Sequence, residues 1–529
     1  MAVGTMLAGA LMSVVLPAGQ PAAAPAADDP VPTHEGMPDD GFADEHEGEQ
    51  DDTVGPDSPS ATAAPAAPVP GRPGDFKLAA GSDLGGLVGK LDAALPKQGL
   101  TELLEQANRT PAGCGDPDIY GPDLSPADRT CWKSDDATSS EWVPQAITGV
   151  SDAQEDEDWG TSNAEPIAVG SYDAENPGRS DYVAGRGNCV KASASDACNE
   201  KGVRVTFFNQ ATKKYRHVLL VWPYVNNYDH ISFDALHARE GLCNEVVTEN
   251  CDAQNGIHAG GMAWYGNYLY VADTANGMRV FDLREIMDLN PDNDSATEDK
   301  MQDGLPSDLG DKKRIGRQSN VWYAYGYRYV MPQVATLKFT TAVNGGDTSK
   351  NQCYKTGRPK ASYVSLDRTD TDHLILGEYC NAKGGDSNGR VGTYPMTALT
   401  AAVEGASGTG VEADQAYGLP TGGSLGDEQL WHKIQGAMRY EGKWYFHRSN
   451  AYDNGRLLQA TVDGDQLSGN PKALESSIGP EDLYMAHGRG DGFAPRLWSL
   501  SEHAPSKCES CHRELYSYPM SDVVSGFGS

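Results

Sequence analysis

Polar residues that could perform chemistry stand at the starts of short β-type segments, where a repeated all-β fold would bring them together. They are Gln145, His258, Gln435, Glu481 and Asp482. Carboxylate and amide oxygens are the ligands that Ca²⁺ prefers, and an imidazole can act as a ligand or as a general base. We therefore predict a central ligand site in which Glu481 and Asp482 hold a cation and His258 is the candidate base.

The same residues have a purely structural interpretation. Groups that face the channel of a repeated fold are partly buried, so they must bond to one another or to water. Four more acids are placed on neighbouring strands or strand ends and could join either arrangement: Asp273, Asp367, Glu378 and Glu502. Both the cation site and the closed polar channel stay open at the level of sequence.

An acidic loop offers a second place for Ca²⁺. Its oxygen-bearing side chains fall at relative positions 1, 3, 5, 7 and 12 of a calcium-loop spacing: Asp288, Asn290, Asp292, Asp294 and Asp299. Asn293 occupies the position at which such loops carry glycine, and Pro291 intrudes. A solvated acidic loop between repeats is therefore the favoured interpretation, with calcium as the alternative.

The chain contains ten cysteines, and an even number in an exported protein indicates structural disulfides. Spacing alone leaves other connectivities open, but nearest neighbours would each close a loop beside a predicted strand. The expected pairs are Cys114 with Cys131, Cys189 with Cys198, Cys243 with Cys251, Cys353 with Cys380, and Cys508 with Cys511.

The segment Cys508-Glu-Ser-Cys511-His512 also matches the attachment motif of c-type haem. A haem site would need a helix and a second axial ligand, whereas Arg513 to Met520 has the pattern of a strand. A structural bridge is favoured over a labile redox disulfide, and both are favoured over haem.

Charge excludes several partners. The 75 acidic and 42 basic residues give a formal net charge of −33, which repels nucleic acid and anionic membrane surfaces.

Motifs of serine hydrolases, zincins and phosphate-binding loops do not occur. Beyond the N-terminus no apolar segment approaches the length of a membrane span.

The N-terminal part divides into three regions. Residues 1–26 contain an apolar stretch followed by small residues, which predicts an export signal and a secreted, extracellular protein. Because the first basic side chain is Arg72, we expect this signal to begin upstream of Met1. Residues 27–76 are rich in Pro, Ala and acids and are expected to be disordered, and residues 77–140 should form short helices and a disulfide loop.

Residues 141–522 have the pattern of many antiparallel strands, with short Tyr, Val, Trp and Phe-rich segments between Gly, Asn and Asp. The clearest repeat runs from His258 to Asp282 and contains three strands and two tight turns. Weaker copies bring the count to about six, one of them covering Tyr325 to Leu337. The predicted fold is therefore all-β, a β-propeller of about six blades.

Four segments carry a family resemblance: His258-Ala-Gly-Gly through Phe281-Asp282, Gln435-Gly436, Gly479-Pro-Glu-Asp-Leu483 and Leu497-Trp-Ser-Leu-Ser-Glu502. In these segments the chain resembles uncharacterised secreted bacterial six-bladed propellers and, more distantly, the gluconolactonase, strictosidine-synthase and NHL propellers. The resemblance implies a propeller fold and, from its lactonase-type members, a Ca²⁺ in the central channel. The full ligand set of those members has no match in this chain.

Two functions follow as hypotheses. The first is an extracellular ligand-binding or scaffold protein that captures a small molecule, glycan or protein. The alternative is a Ca²⁺-dependent lactonase or esterase in which the metal polarises the carbonyl. A metal held on the axis by several protein oxygens would favour the enzyme, and an axis closed by side chains would favour binding.

Overall fold

A computed structural model of the chain describes most of residues 69–528. The internal positions outside this description are 82, 116–118, 155–158, 160–164, 175–200, 227–228, 238–256, 291–306, 313, 319, 343–352, 354, 381–387, 426–427 and 489–492. The predicted export signal and most of the predicted linker lie outside the described residues. The described end of that linker packs on the main domain, since Phe76 is fully buried and Gly71 N donates to Asp465 O.

The segment before the blades is built from two short strands and three short helices: β1 (Lys77–Ala80), α1 (Gly85–Asp92), α2 (Gly99–Glu105), β2 (Asp128–Cys131) and α3 (Ser134–Ala137). The predicted helical segment is thus confirmed. Leucines at helical spacing bury one face of α1 and α2 against the sheets. Among the described residues, no helix combines the length and apolarity needed to cross a bilayer.

Blade 1 is an antiparallel meander of four strands: β3 (Trp142–Gly149), β4 (Pro166–Asp173), β5 (Val203–Asn209) and β6 (Lys214–Val225). The short helix α4 (Val150–Ala153) follows β3, and β7 (Ile231–Ala235) extends the outer edge. The β5–β6 turn forms because Asn209 Oδ1 accepts from the amides of Ala211 and Thr212 at 3.0 and 3.1 Å.

Blade 2 begins with the predicted His258 repeat. Its strands are β8 (Met262–Tyr265), β9 (Tyr268–Asp273) and β10 (Gly277–Asp282), followed by the short β11 (Met287–Asp288), the hairpin β12 (Ile315–Gln318) and β13 (Val321–Ala324), and β14 (Tyr329–Phe339). The predicted Gly-Asn turn joins β8 to β9, with Gly266 in the left-handed region at φ 57°. β14 pairs antiparallel with β10 and is the fourth strand of this blade.

Blades 3, 4 and 5 repeat the meander. Blade 3 has β15 (Tyr363–Asp367), β16 (His373–Gly377), β17 (Arg390–Pro395), α5 (Met396–Val403), β18 (Gly410–Glu412) and β19 (Gln415–Gly418), and a hairpin of β20 (Ser424–Leu425) and β21 (Glu428–Gln429) follows. Blade 4 has β22 (Ile434–Tyr440), β23 (Lys443–Arg448), β24 (Asn454–Asp463), β25 (Gln466–Gly469) and β26 (Leu474–Ile478). Blade 5 has β27 (Tyr484–Ala486), β28 (Arg496–Leu500) and β29 (Glu514–Pro519), followed by α6 (Met520–Phe527).

The innermost strands of these blades close a ring. β3 contacts β8 and β27, β8 contacts β15, and β15 contacts β22. The strands approach closely where side chains are absent: a Cβ on Gly261 would lie 2.2 Å from Val364 N, and one on Gly436 would lie 2.7 Å from Leu483 N. The chain is therefore an all-β propeller, as predicted.

The blade count needs a correction. The segment Tyr325 to Leu337 was expected to be a separate blade, yet β14 is the outer strand of blade 2 and also pairs in parallel with β6 of blade 1. Some forty residues separate β10 from β14, because β11 and the β12–β13 hairpin are inserted between them. That insertion hides the fourth strand in the sequence, and the described strands form five blades rather than about six.

The ring is fastened by a strand from the beginning of the chain. β2 pairs antiparallel with β29, so the segment that precedes blade 1 supplies the outer strand of blade 5. Arg129 on β2 donates through Nε and Nη2 to the two carboxylate oxygens of Glu514, each at 2.9 Å. Glu514 is fully buried and also accepts from Tyr120 Oη at 2.7 Å. This bidentate pair joins the first and last parts of the fold.

Three of the five predicted disulfides join described cysteines: Cys114–Cys131, Cys353–Cys380 and Cys508–Cys511. The first tethers β2, and the second lies beside the start of blade 3. The pairs Cys189–Cys198 and Cys243–Cys251 lie outside the described residues and stay predictions.

Replacing Arg129 should loosen the closure of blade 5. In Arg129→Met the carboxylate of Glu514 stays buried without its cation, so we expect the free energy of unfolding to fall by about 3 kcal/mol. Urea denaturation of both proteins measures this. Arg284→Met is the matched control, because Arg284 pairs with Asp282 while 56 % exposed and should cost less than about 1 kcal/mol. Equal losses in both variants would refute a fastening role.

The disulfide prediction covers all ten cysteines. We expect no thiol to react in the unreduced, denatured protein, and we expect reduction to lower the melting temperature because closed loops restrict the unfolded chain. Titration with a thiol reagent before and after reduction measures the number of bridges. Two or more reactive thiols before reduction would contradict the predicted pairing.

Candidate functional site

The carboxyl group of Asp482 lies where the inner strands meet. Its Oδ2 accepts from Ile147 N of blade 1 at 3.2 Å and from Met262 N of blade 2 at 3.3 Å. The side chain is fully buried, and Oδ1 has no partner among the described residues. Burial raises the pKa of Asp482 well above its usual range and outweighs the backbone hydrogen bonds, which lower it. Burial therefore disfavours the ionised form of this carboxyl group.

Glu481 is fully buried beside Asp482 and faces blade 4. Its Oε1 accepts from Gln435 Nε2 at 3.2 Å, and its backbone oxygen lies 3.1 Å from His447 Nδ1. His447 was not among the predicted residues. Burial lowers its pKa to about 3, so it is a neutral histidine that also bonds to Ser476 Oγ at 2.7 Å. Only the folded ring shows that this strand residue faces the axis.

Gln145 connects blade 1 to blade 5. Its Nε2 donates to Glu502 Oε2 at 2.8 Å, and its backbone oxygen accepts from Asp482 N at 3.4 Å. The structure therefore places Gln145, Gln435, Glu481 and Asp482 near one another where the inner strands meet. Their role in binding a ligand stays a prediction.

His258 directly precedes the strands of blade 2. Its ring contacts Tyr172 of blade 1 with centroids 4.6 Å apart, and it is 8 % exposed. On blade 5, Glu502 is followed by His503, whose ring lies 4.8 Å from that of Tyr452 on blade 4. Together these residues form what we call the axial mouth: Tyr172, His258, Tyr452, Glu502 and His503.

The other predicted acids are paired with arginines. Asp273 accepts from Arg279 at 2.6 Å, and Asp367 accepts from Arg439 at 2.8 Å. Glu378 accepts from Arg390 through both carboxylate oxygens, at 2.9 and 3.1 Å. Arg390 also donates to Asp75, at 3.1 Å. These carboxylates neutralise buried guanidinium groups, a structural task that leaves them outside any axial ligand set.

The first residue of the predicted calcium loop, Asp288, is also paired with an arginine. Both carboxylate oxygens of Asp288 are bound by Arg328, at 2.7 and 2.6 Å, and both side chains are fully buried. Asn290 is also fully buried. Asp292, Asp294 and Asp299 lie outside the described residues, so the calcium loop as a whole stays a prediction.

Among the described residues, no three His, Cys, Asp or Glu side chains at the axis lie close enough together to share one ion. The groups of His, Cys, Asp and Glu near enough to share one ion are Cys114, Cys131 and Glu514, and Cys353, Glu378 and Cys380. Each group contains a disulfide, whose sulfurs are not thiolate ligands. Cys508 and Cys511 are likewise bridged, which leaves no thiol for a haem thioether. We derive no chemical step through a metal.

Each blade has an arginine at or just before the start of its third strand, and the sequence analysis did not predict a role for these arginines. The five are Arg204, Arg279, Arg390, Arg456 and Arg513. In blades 2 and 3 the arginine pairs with an acid at or just after the second strand, Asp273 or Glu378. In blade 5 the corresponding acid, Glu502, gives Arg513 only its backbone oxygen, at 2.5 Å. An acid at or just after the end of the second strand, followed by this arginine, recurs in blades 1, 2, 3 and 5 and was the available signal.

Blades 1 and 5 enclose a cleft that the sequence did not predict. We call it the 1–5 cleft, and it is lined by Trp132, Asp136, Trp142, Pro144, Val169, Ser171, Arg204, Thr206, His217 and Arg513. Asp136 accepts from Arg204 at 3.0 Å, from Tyr215 Oη at 2.6 Å and from Arg109 Nε at 3.0 Å. Burial alone would raise the pKa of Asp136, but its hydrogen-bonding and cationic neighbours hold it below the usual range.

Comparisons with known proteins give a fold-level likeness only. No protein-family model matches the chain, and no curated protein sequence matches it. Among solved structures, it is similar to the RS223 β-xylosidase at 8 % identity over 72 % of this chain and 92 % of that one, with a TM-score of 0.28. A GH43_1 enzyme from Xanthomonas citri complexed with xylose is 9 % identical over 82 % and 92 %, with a TM-score of 0.30.

A putative 6-phosphogluconolactonase from Bacteroides fragilis is 8 % identical over 60 % of this chain and 90 % of that one, with a TM-score of 0.22. At these TM-scores none of the likenesses supports an activity for this chain. The propeller class rests on the strand pairing described above, and the specific family resemblance of the sequence stays a prediction.

The protonation of Asp482 can be tested through stability. A carboxyl whose folded pKa is raised holds its proton longer in the folded than in the unfolded state, so its contribution declines as pH rises from 3.8 towards the folded pKa. Asp482→Asn removes this titration. We expect the stability of the variant relative to wild type to rise between about pH 5 and about pH 8.

Urea denaturation of both proteins at each pH measures the difference. Asp453→Asn, on an exposed turn of blade 4, controls for the loss of one charge. A stability difference that is independent of pH would contradict a raised pKa at the axis.

Proposed function

We propose that the protein is an extracellular ligand-binding or scaffold propeller whose axis is structural. The observation that carries this proposal is the position of Asp482, whose carboxyl group is fully buried and accepts hydrogen bonds from the backbone of two other blades. A metal-dependent hydrolase needs ionised oxygen ligands with an open coordination position for water or substrate. The described contacts of the axial groups are instead hydrogen bonds within the protein: Gln435 donates to Glu481, and Asp482 accepts from two backbone amides.

The disulfides support an oxidising, extracellular location. Bridges persist outside the reducing cytosol, and three join described parts of the chain. The strongly negative surface suits solubility there. Both features accord with the predicted export signal.

The axial mouth is the surface proposed to receive the ligand. Its two ring pairs, Tyr172 with His258 and Tyr452 with His503, supply aromatic rings and imidazoles from blades 1, 2, 4 and 5. Aromatic faces with a few polar groups are the usual lining of sites for small molecules and glycans. Because the residues stand on four blades of a closed ring, the mouth is preorganised and loses little conformational entropy on binding.

Catalysis and binding are separated by one set of assays. We expect hydrolysis of δ-gluconolactone and of p-nitrophenyl acetate to match the buffer rate with Ca²⁺ and with chelator alike, and we expect Ca²⁺ to leave the melting temperature unchanged. Calcium-dependent turnover that is lost in Glu481→Gln would overturn the proposal in favour of the lactonase or esterase alternative.

The mouth itself is tested with a panel of neutral oligosaccharides as probes. For any oligosaccharide that binds, we expect His503→Ala to raise the dissociation constant about tenfold. Truncating a central contact residue typically costs about 1 to 2 kcal/mol of binding free energy. Val462→Ala, at an exposed position of β24, is the control and should bind as wild type does. Binding that His503→Ala leaves unchanged would place the ligand elsewhere.

A further inference from the structure

Arg513 is a buried cation whose described partners are all backbone oxygens. It is 3 % exposed, and it donates to Glu502 O at 2.5 Å, Ser139 O at 2.8 Å and Asp136 O at 3.3 Å. These bonds use Nε and Nη1, and the Nη2 group has no partner among the described residues. Guanidinium groups cannot lose their proton in proteins, so burial without a paired anion is costly.

Arg204, on the other wall of the 1–5 cleft, also has an unused donor. Its Nη2 bonds to Asp136 at 3.0 Å, its Nη1 lies 3.4 Å from Tyr327 Oη, and its Nε is buried without a partner among the described residues. The guanidinium stacks on Trp142 at 4.9 Å, which fixes its plane. Two arginines from neighbouring blades thus leave N–H groups unused in the same cleft.

The other groups of the cleft do not supply the missing negative charge. The carboxylate of Asp136 is shared by Arg204, Arg109 and Tyr215. His217 is neutral, because burial lowers its pKa to about 4, and its Nε2 donates to Asp136 Oδ1 while its Nδ1 accepts from Thr206. Burial also lowers the pKa of Arg513, to about 10. The negative charge of Glu502 raises this pKa, but the positive charge of Arg204 lowers it again.

The carboxylate of Glu502 attracts Arg513, but its described contacts are with other residues. Its Oε2 accepts from Gln145 at 2.8 Å, and its Oε1 lies 3.4 Å from His503 Nδ1. In blades 2 and 3 the acid at this place in the repeat binds its arginine directly. Blade 5 therefore lacks the pair that neutralises the arginine elsewhere in the ring.

We propose that the 1–5 cleft binds one small monovalent anion, chloride in an extracellular fluid, between Arg204 and Arg513. The free space admits a guest of about the size of a water molecule, which suits a halide better than a larger organic anion. The hydroxyl groups of Ser171 and Thr206 line the same space, and Trp132 and Trp142 keep it apolar and strengthen the electrostatic attraction. This site uses other residues than the axial mouth and does not depend on the proposed ligand.

Calorimetry at constant ionic strength tests the proposal, with sodium gluconate replaced stepwise by sodium chloride. We expect the melting temperature to rise with chloride, and each tenfold increase above Kd should multiply the ratio of folded to unfolded protein by about ten. Arg513→Gln should abolish this dependence. Arg456→Gln, at the same place in blade 4 but paired with Glu475 at 3.2 Å, should retain it.

A second measurement uses only the wild-type protein and tests the proposal even if Arg513→Gln fails to fold. Crystals of the wild-type protein soaked in sodium bromide should show one anomalous scattering peak within hydrogen-bond distance of Arg204 Nε and Arg513 Nη2. Equal melting temperatures in chloride and gluconate, with no bromide peak in the cleft, would overturn the proposal. A rise in acetate but not in chloride would also overturn it, since the site would then take a carboxylate.

Discussion

The fold depends on the hydrogen bonds that one buried carboxyl group makes across the axis of the ring. Asp482 belongs to blade 5 but binds the backbone of blades 1 and 2, which hold no sequence neighbour of it. The amides that it accepts from would otherwise be buried donors without partners, a deficit of about 1 to 3 kcal/mol each. The glycines of the inner strands, such as Gly261 and Gly436, let the strands come near enough for one carboxyl to reach both.

Local patterns predicted the strands more successfully than their partners. The four strands of blade 1 and the three of the His258 repeat follow from apolar segments bounded by turn residues such as Asn209 and Gly266. β14 was predicted as a strand but placed in a blade of its own. β14 pairs with β10 on the other side of an insertion. The spacing of segments along the chain gives no information about this pairing.

The candidate site shows the same division between position and chemistry. Gln145, Gln435, Glu481 and Asp482 converge because the two glutamines lie on inner strands and the two acids come just before another inner strand. Their ionisation was beyond prediction, because desolvation depends on how completely the ring closes around them. Arg204 and Arg513 were overlooked because one arginine per repeat resembles surface charge until its burial is known.

The pairing of β2 with β29 sets the order in which the protein can be completed. Arg129 and Glu514 are 385 residues apart, and blade 5 has no outer strand until both ends of the domain are present. A chain emerging from its N-terminus must keep β2 unpaired through the synthesis of four blades, and such non-local closure is intrinsically slow. The last step in folding of the ring therefore follows translation. A chain truncated before β29 exposes an open strand edge at each end of the incomplete sheet.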